Sequence, residues 1–383
     1  MYKRQLLDGI ISASGNNEIE LVAENLPNQF RSHFHLVSWD EEIDDSEAVW
    51  FENGADLSRG TYGSAETFDG SNPCNINGCT IRTAYDSTND VFVIVWMNEN
   101  GKGKVRAGEI DSNGAITLGD TTYEWADNHN WIVFFDVAFD LEGSAGEESF
   151  VITWRFEDDR CSPCTSDDHR AFSIVGTVDD SDLSISLGTA AEIGTDDLAG
   201  HYMSATDIAG DNRIVFCYGI QQTNDDGGGR QGGACKAGEV DGSAKSVTWG
   251  SQSCFTASCA VEDDDPDVKW NDVVHVGNDG SGNEQFIVIW NDLTNTRAQI
   301  RGGNIGSSGT TITWGDAVTA TNDEIIYIDL AYDSGTSKFI SVWTDSPGSD
   351  GEYTIGSIDA SNAVAIENEG CTCLLYTSPS PRD

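Results

Sequence analysis

The sequence predicts an all-β molecule, a β-propeller of four-stranded antiparallel blades, seven in number or eight. Three observations predict it. Short apolar runs that end in Asp, Asn or Gly fill the chain, and they recur in one fixed order. No segment carries a sustained helical period with caps. The repeat period, 46 to 72 residues, suits a propeller better than a β-helix with its short rungs. It is also too short for tandem immunoglobulin-type sandwiches, which need roughly 100 residues each.

The pattern is clearest in residues 81–120, where Ile81–Asp86, Val91–Trp96, Lys104–Asp111 and Ala115–Gly119 read as four consecutive strands. A sheet of four short strands has two apolar faces and cannot bury both alone. Stacking copies around an axis buries them.

Three landmarks carry this through the chain. The first is an apolar run closing on Asp: Phe34–Asp40, Ile81–Asp86, Phe135–Asp140, Met203–Asp207, Val273–Asp279 and Tyr327–Asp333. The second is a run closing on an aromatic, at Trp50, Trp96, Trp154, Tyr218, Trp290 and Trp343. From Asp to aromatic the interval is 10, 10, 14, 11, 11 and 10 residues, as hairpins with short, variable turns require. The third is a Gly-x-apolar-Asp run followed by an apolar residue and Gly: Gly108–Asp111 with Leu118-Gly119, Gly176–Asp179 with Leu187-Gly188, Gly238–Asp241 with Trp249-Gly250. It weakens at Gly303–Gly306 with Trp314-Gly315 and at Gly356–Asp359 with Ala363–Ile366. The expected blades are about 34–68, 81–119, 134–188, 203–250, 273–315 and 327–367, within one domain spanning 6–372. Residues 6–22 look like the back half of an earlier repeat. In a seven-bladed ring they would complete a blade whose other strands lie beyond Thr372.

Residues 1–5 and 373–383 resemble translated sequencing-adaptor sequence, as in a metagenomic fragment, and are set aside as scars. The natural segment is then expected to be cut at both ends, so a signal peptide would not be observable. No apolar run approaches bilayer-spanning length, so no membrane insertion is expected of the fragment.

The chain carries 20 basic and 65 acidic residues, a formal charge of −45. Nucleic-acid binding needs basic stripes that neutralise phosphates, and the sequence has none. An acidic surface keeps a protein soluble while it repels itself, which salt or divalent cations relieve.

Cysteines fall in close pairs: Cys74 with Cys79, Cys161 with Cys164, Cys217 with Cys235, and Cys254 with Cys259. Most sit in polar loops, which reads as disulfide staples in an oxidising compartment, extracellular or at a cell surface. Zinc would need four converging ligands, and these pairs lie in different repeats without paired His.

The recurring tryptophans read as inter-blade core rather than bare sugar-stacking platforms. The turn between first and second strands repeats an Asp with a second oxygen group four residues on, as in Asp86 with Asp90 and Asp279 with Asn283. Asp279, Ser281 and Asn283 offer oxygens at alternate positions, as Ca²⁺ loops do. Asx-turn chemistry is the competing reading. This loop resembles those of integrin-type propellers, and the resemblance implies Ca²⁺ at Asp279, Ser281 and Asn283. The run Asp241…Thr248-Trp249 and the run Ser308-Gly309…Thr313-Trp314 resemble the Asp-box of sialidase-like propellers in place and composition. That resemblance implies a structural turn. No arginine cluster of a sialidase can be assigned among Arg82, Arg106, Arg155, Arg213 and Arg301.

No Gly-x-Ser-x-Gly elbow, His-Glu-x-x-His pair or phosphate loop is present, and no catalytic residue is named by motif. The expected function is a secreted or surface-displayed scaffold that binds a protein or glycan. A propeller glycoside hydrolase or lyase, with carboxylates converging near the axis, is the enzymatic alternative. A structural repeat of a larger surface or virion-associated protein is the third. Carboxylates and arginines converging at one mouth of the channel would favour the enzyme, and an evenly acidic rim the scaffold.

Overall fold

The computed structural model describes residues 10–14, 18–22, 68, 81–86, 89–98, 102–111, 115–126, 132–140, 147–156, 170–193, 203–208, 212–220, 232–257, 259, 268–307, 309–346 and 351–372. Trp50, the run Phe34–Asp40, the cysteines at 74, 79, 161 and 164 and both terminal segments lie outside them. The fold is all-β, with no helix among the described residues.

A hairpin, β1 (Ile10–Ser14) with β2 (Glu18–Val22), precedes five antiparallel sheets built in chain order. Counting the repeat at 34–68 as the first, the second blade holds β3 (Ile81–Asp86), β4 (Val91–Met97), β5 (Gly103–Ile110), β6 (Ile116–Leu118) and β7 (Tyr123–Glu124). The third holds β8 (Ile132–Asp140), β9 (Glu147–Phe156), β10 (Arg170–Asp179), β11 (Ser184–Leu187) and β12 (Ala191–Glu192). The fourth holds β13 (Met203–Ile208), β14 (Arg213–Gly219), β15 (Gly233–Asp241), β16 (Ser246–Trp249) and β17 (Ser253–Cys254). The fifth runs β18 (Val268–Asn278), β19 (Glu284–Asp292), β20 (Arg297–Ile305), β21 (Ile312–Thr321). The sixth runs β22 (Glu324–Asp333), β23 (Lys338–Ser346), β24 (Gly351–Ile358), β25 (Val364–Thr372). In the second to fourth blades the outer strand is split, so β7, β12 and β17 resume its pairing with the third strand.

First strands of successive blades touch: β3 with β8, β8 with β13, β13 with β18, β18 with β22. They form the inner wall of the propeller. Second strands lie between neighbours on both faces, so β4 and β14 are buried along their whole length and read as continuous apolar runs. The recurring aromatic ends this strand and meets the last turn of the preceding blade. Phe68 packs on Trp96 at 5.1 Å, Trp125 on Trp154 at 4.8 Å and Phe255 on Trp290 at 5.0 Å between ring centroids. Third-strand cations reach the same turns: Arg106 donates to the Phe68 carbonyl (2.8 Å), Lys236 to Ile193 (2.8 Å) and Arg301 to Phe255 (2.8 Å).

The glycine of the third landmark has a packing cause. A Cβ on Gly108, Gly176 or Gly356 would land within the ring of Phe92, Phe150 or Phe339 on the adjoining second strand. Cys217 and Cys235 face each other directly across β14 and β15, 4.0 Å apart at Cα, and are disulfide-bonded. Cys254 and Cys259 close a second, local bridge.

Candidate functional site

The inner strands share one register position, the residue paired with the one just before the second-strand aromatic. Arg82 pairs with Val95, Asp136 with Thr153, Ser204 with Cys217, Asp272 with Ile289 and Asp329 with Val342. These five side chains therefore sit at one level around the axis. Arg82 Nε lies 3.6 Å from Asp136 Oδ1, with Arg82 27% and Asp136 14% exposed.

The carboxylates fasten one blade to the next. Ala205 N–H donates to Asp136 Oδ2 (2.7 Å), and Leu330 N–H donates to Asp272 Oδ2 (2.7 Å). Each Asp also accepts from the next residue's own N–H: Val137 to Asp136 (3.0 Å), Val273 to Asp272 (2.9 Å), Leu330 to Asp329 (3.0 Å). Ser204 Oγ donates to Asn271 Oδ1 (2.9 Å), joining the fourth and fifth blades. The inner strand is an open sheet edge, and these bonds satisfy N–H groups that the ladder leaves unpaired. Burial, and then the nearby charges of Asp329 and Asp136, push the Asp272 carboxyl well above the usual aspartate range; its two N–H donors pull the other way.

Beside three of these positions the inner strand bulges. The shifts fall between Val133 and Phe135, Lys269 and Asn271, and Ile326 and Asp329. Each bulge holds an aromatic residue in left-handed backbone: Phe134 at φ 53°, Trp270 at φ 52° and Tyr327 at φ 53°. All three are half-buried, and the Trp270 and Tyr327 rings lie 4.5 Å apart at 59°. A bulky side chain at positive φ is an outlier, and such strain gathers at functional sites. The bulges thus set half-buried aromatic rings beside carboxyl groups and one paired arginine, with Phe134 packed against the core between the third and fourth blades.

The sequence reading missed these residues, because it anchored each first strand on its closing Asp. The signal is aromatic-x-Asp, at Phe134–Asp136, Trp270–Asp272 and Tyr327–Asp329.

The Ca²⁺ candidates lie elsewhere. Asp279 closes an Asx turn between β18 and β19: its Oδ1 accepts from Ser281 N–H (2.7 Å) and Asn283 N–H (3.1 Å), and its Oδ2 from Asn283 Nδ2 (2.7 Å). Asp86 is buried and accepts from Asn89 Nδ2 (3.0 Å), while Asp90 accepts from the Tyr85 hydroxyl (2.5 Å). Among the described residues no three His, Cys, Asp or Glu side chains gather as a metal site. The turn tryptophans bridge blades, with Trp249 Nε1 donating to Ser173 Oγ (3.1 Å) and Trp314 Nε1 to Ser253 Oγ (2.9 Å). Of the arginines, Arg106 and Arg301 tie carbonyls together, and Arg213 is buried and donates to the carbonyls of Gly306 (2.6 Å) and Gly309 (3.2 Å). Arg155 is fully buried. Trp96, Trp154, Trp290 and Trp343 are all at most 4% exposed and belong to the inter-blade core.

No family model matches the chain, and no curated protein matches it. Solved structures do. A six-bladed fucose-recognising lectin from Aleuria aurantia is 11% identical, over 78% of this chain and 80% of that one, with a TM-score of 0.42. An α-L-arabinanase from Penicillium chrysogenum is 8% identical, over 79% and 96%, with a TM-score of 0.39. The polysaccharide lyase Uly1 is 8% identical, over 72% of this chain and 57% of that one, with a TM-score of 0.41. Likenesses this remote say nothing of ligand or site, and the fold stands on the strand order above.

Proposed function

We propose that this chain is an extracellular or surface-displayed propeller that binds a neutral glycan at the axial mouth. The observation that carries the reading is the repeated aromatic-x-Asp bulge, which sets Phe134, Trp270 and Tyr327 beside Asp136, Asp272 and Asp329. Aromatic rings pack on the apolar faces of sugars, and carboxyl oxygens accept from sugar hydroxyls. Disulfides at Cys217–Cys235 and Cys254–Cys259 support an oxidising compartment. An acidic glycan would meet an acidic wall on a chain of charge −45.

Glycoside hydrolysis is the second reading, favoured by two features. Arg82 and the carboxyl groups of Asp136, Asp272 and Asp329 converge at one level of the inner strands, the arrangement expected of an enzyme. Asp272 is biased towards its protonated form among other carboxyl groups, as a general acid beside a carboxylate base would be. Binding is preferred because both Asp272 oxygens already accept backbone N–H bonds that hold two blades together. A neutral and acidic oligosaccharide array, followed by chromatography of any bound sugar after long incubation, tests both. Binding of a neutral glycan recovered intact is expected. Shortened products would establish the hydrolase, and an array with no signal would sink the glycan reading.

A further inference from the structure

The two described disulfides differ in how a thiol could reach them. Cys217–Cys235 is fully buried in the apolar seam between the fourth and fifth blades. Cys254, the last residue of β17, is bonded to Cys259 in the stretch that leaves the fourth blade, and both are half-buried. A buried bridge is shielded from an attacking thiolate while the seam stays closed, whereas a half-buried one is within reach.

The reachable bridge ties together two separate cores. Phe255, next to Cys254, is fully buried in the seam between the fourth and fifth blades, with its ring 5.0 Å from Trp290 and 6.4 Å from Trp314. The fifth blade grips the same stretch through Arg301, which donates to the Phe255 carbonyl (2.8 Å), and Trp314 Nε1, which donates to Ser253 Oγ (2.9 Å). Cys259 packs instead against the cluster of Ile193, Met203 and Tyr218 between the third and fourth blades. The second blade secures the corresponding ring differently. A Cβ on Gly103 would land in the Trp125 ring, as one on Gly233 would land in the Phe255 ring, so each ring covers a third-strand glycine. Trp125 is anchored by its own Nε1, which donates to the Lys104 carbonyl (3.0 Å). A phenyl ring has no such donor, and the bridge beside Phe255 takes over the anchoring.

We propose that Cys254–Cys259 is a redox-sensitive clasp, opened by an external dithiol while Cys217–Cys235 stays closed, and that opening it loosens Phe255 from the seam between the fourth and fifth blades. A thiolate of the dithiol attacks one sulfur of the bridge, and the other leaves as a thiolate that takes up a proton. The second thiol of the dithiol then resolves the mixed disulfide, releasing the second cysteine as a thiol. Two electrons pass to the bridge, and the dithiol leaves as its own disulfide.

The test treats the oxidised full chain with graded dithiothreitol well below its melting temperature, alkylates free thiols with iodoacetamide and reads each cysteine by peptide mass spectrometry. Cys254 and Cys259 should be labelled at least about tenfold sooner than Cys217 and Cys235. A Cys254→Ala/Cys259→Ala variant, prepared without reductant, should melt about 2 °C or more below the parent. In it the amides of Phe255 and Thr256, which donate to the Gly233 carbonyl (3.0 and 3.4 Å), should exchange hydrogen at least about tenfold faster. Labelling of all four cysteines together would overturn the selective clasp, and unchanged exchange at Phe255 would overturn its hold on the ring. If the variant does not fold, hydrogen exchange on the parent reduced only at Cys254–Cys259 gives the same readout.

Discussion

Trp270 and Tyr327 hold left-handed backbone that costs a bulky residue about 1–2 kcal/mol each, offset in part by the contact between their rings. Glycine removes both the strain and the ring. Trp270→Gly and Tyr327→Gly are therefore expected to leave Tm within about 2 °C of the parent while lowering glycan affinity about tenfold each, read by melting and calorimetry. Asp272 has a raised folded value against an unfolded one near 3.8. Its contribution to stability is thus full below that unfolded value and is lost as pH rises through the folded one. Asp272→Asn should flatten the rise in relative stability that the parent shows on acidification over that window, and an unaltered pH–Tm curve would contradict this. Glu284 runs the other way. Its carboxyl is held low, chiefly by its hydrogen bond with His275 (3.1 Å), so its contribution is present above the usual glutamate value of 4.5 and is lost as pH falls through the depressed one. At Asp279 both carboxylate oxygens are already engaged within their own turn. The Ca²⁺ expectation is tested by melting with and without chelator: a fall in Tm on chelation would support the ion, and an unchanged melt would leave the Asx turn alone.

At the scale of the strand, the three landmarks were legible because each has a local cause: steric for the glycine and the aromatic, turn hydrogen bonds for the closing Asp. The second-strand Phe needs a glycine beside it, so Gly108→Ala or Gly176→Ala should destabilise by about 1–3 kcal/mol in denaturant melts, through displacement of Phe92 or Phe150. Gly280→Ala, in open space at φ +81°, should cost about 1 kcal/mol through backbone strain alone. The recurring aromatic was legible as core for the same reason, since Phe68, Trp125 and Phe255 each need a flat partner in the next blade. The bulges were not legible. Local propensity gives no warning that an aromatic will take positive φ, because the inter-blade bonds from Ala205 to Asp136 and from Leu330 to Asp272 are made 58 to 69 residues apart in sequence.

For the whole molecule, closely apposed first strands turn five separate sheets into one wall. A charge of −45 repels itself across that wall, so raising ionic strength from about 0.01 to 0.5 M should raise Tm. If sugar meets the bulged aromatics, removing their rings must weaken binding. Isothermal titration of the array-selected glycan into the parent and into the Trp270→Gly/Tyr327→Gly double variant tests it most directly. Affinity at least about 30-fold weaker in the double variant is expected, with its melting curve preserved. Equal affinity in the two proteins would contradict it.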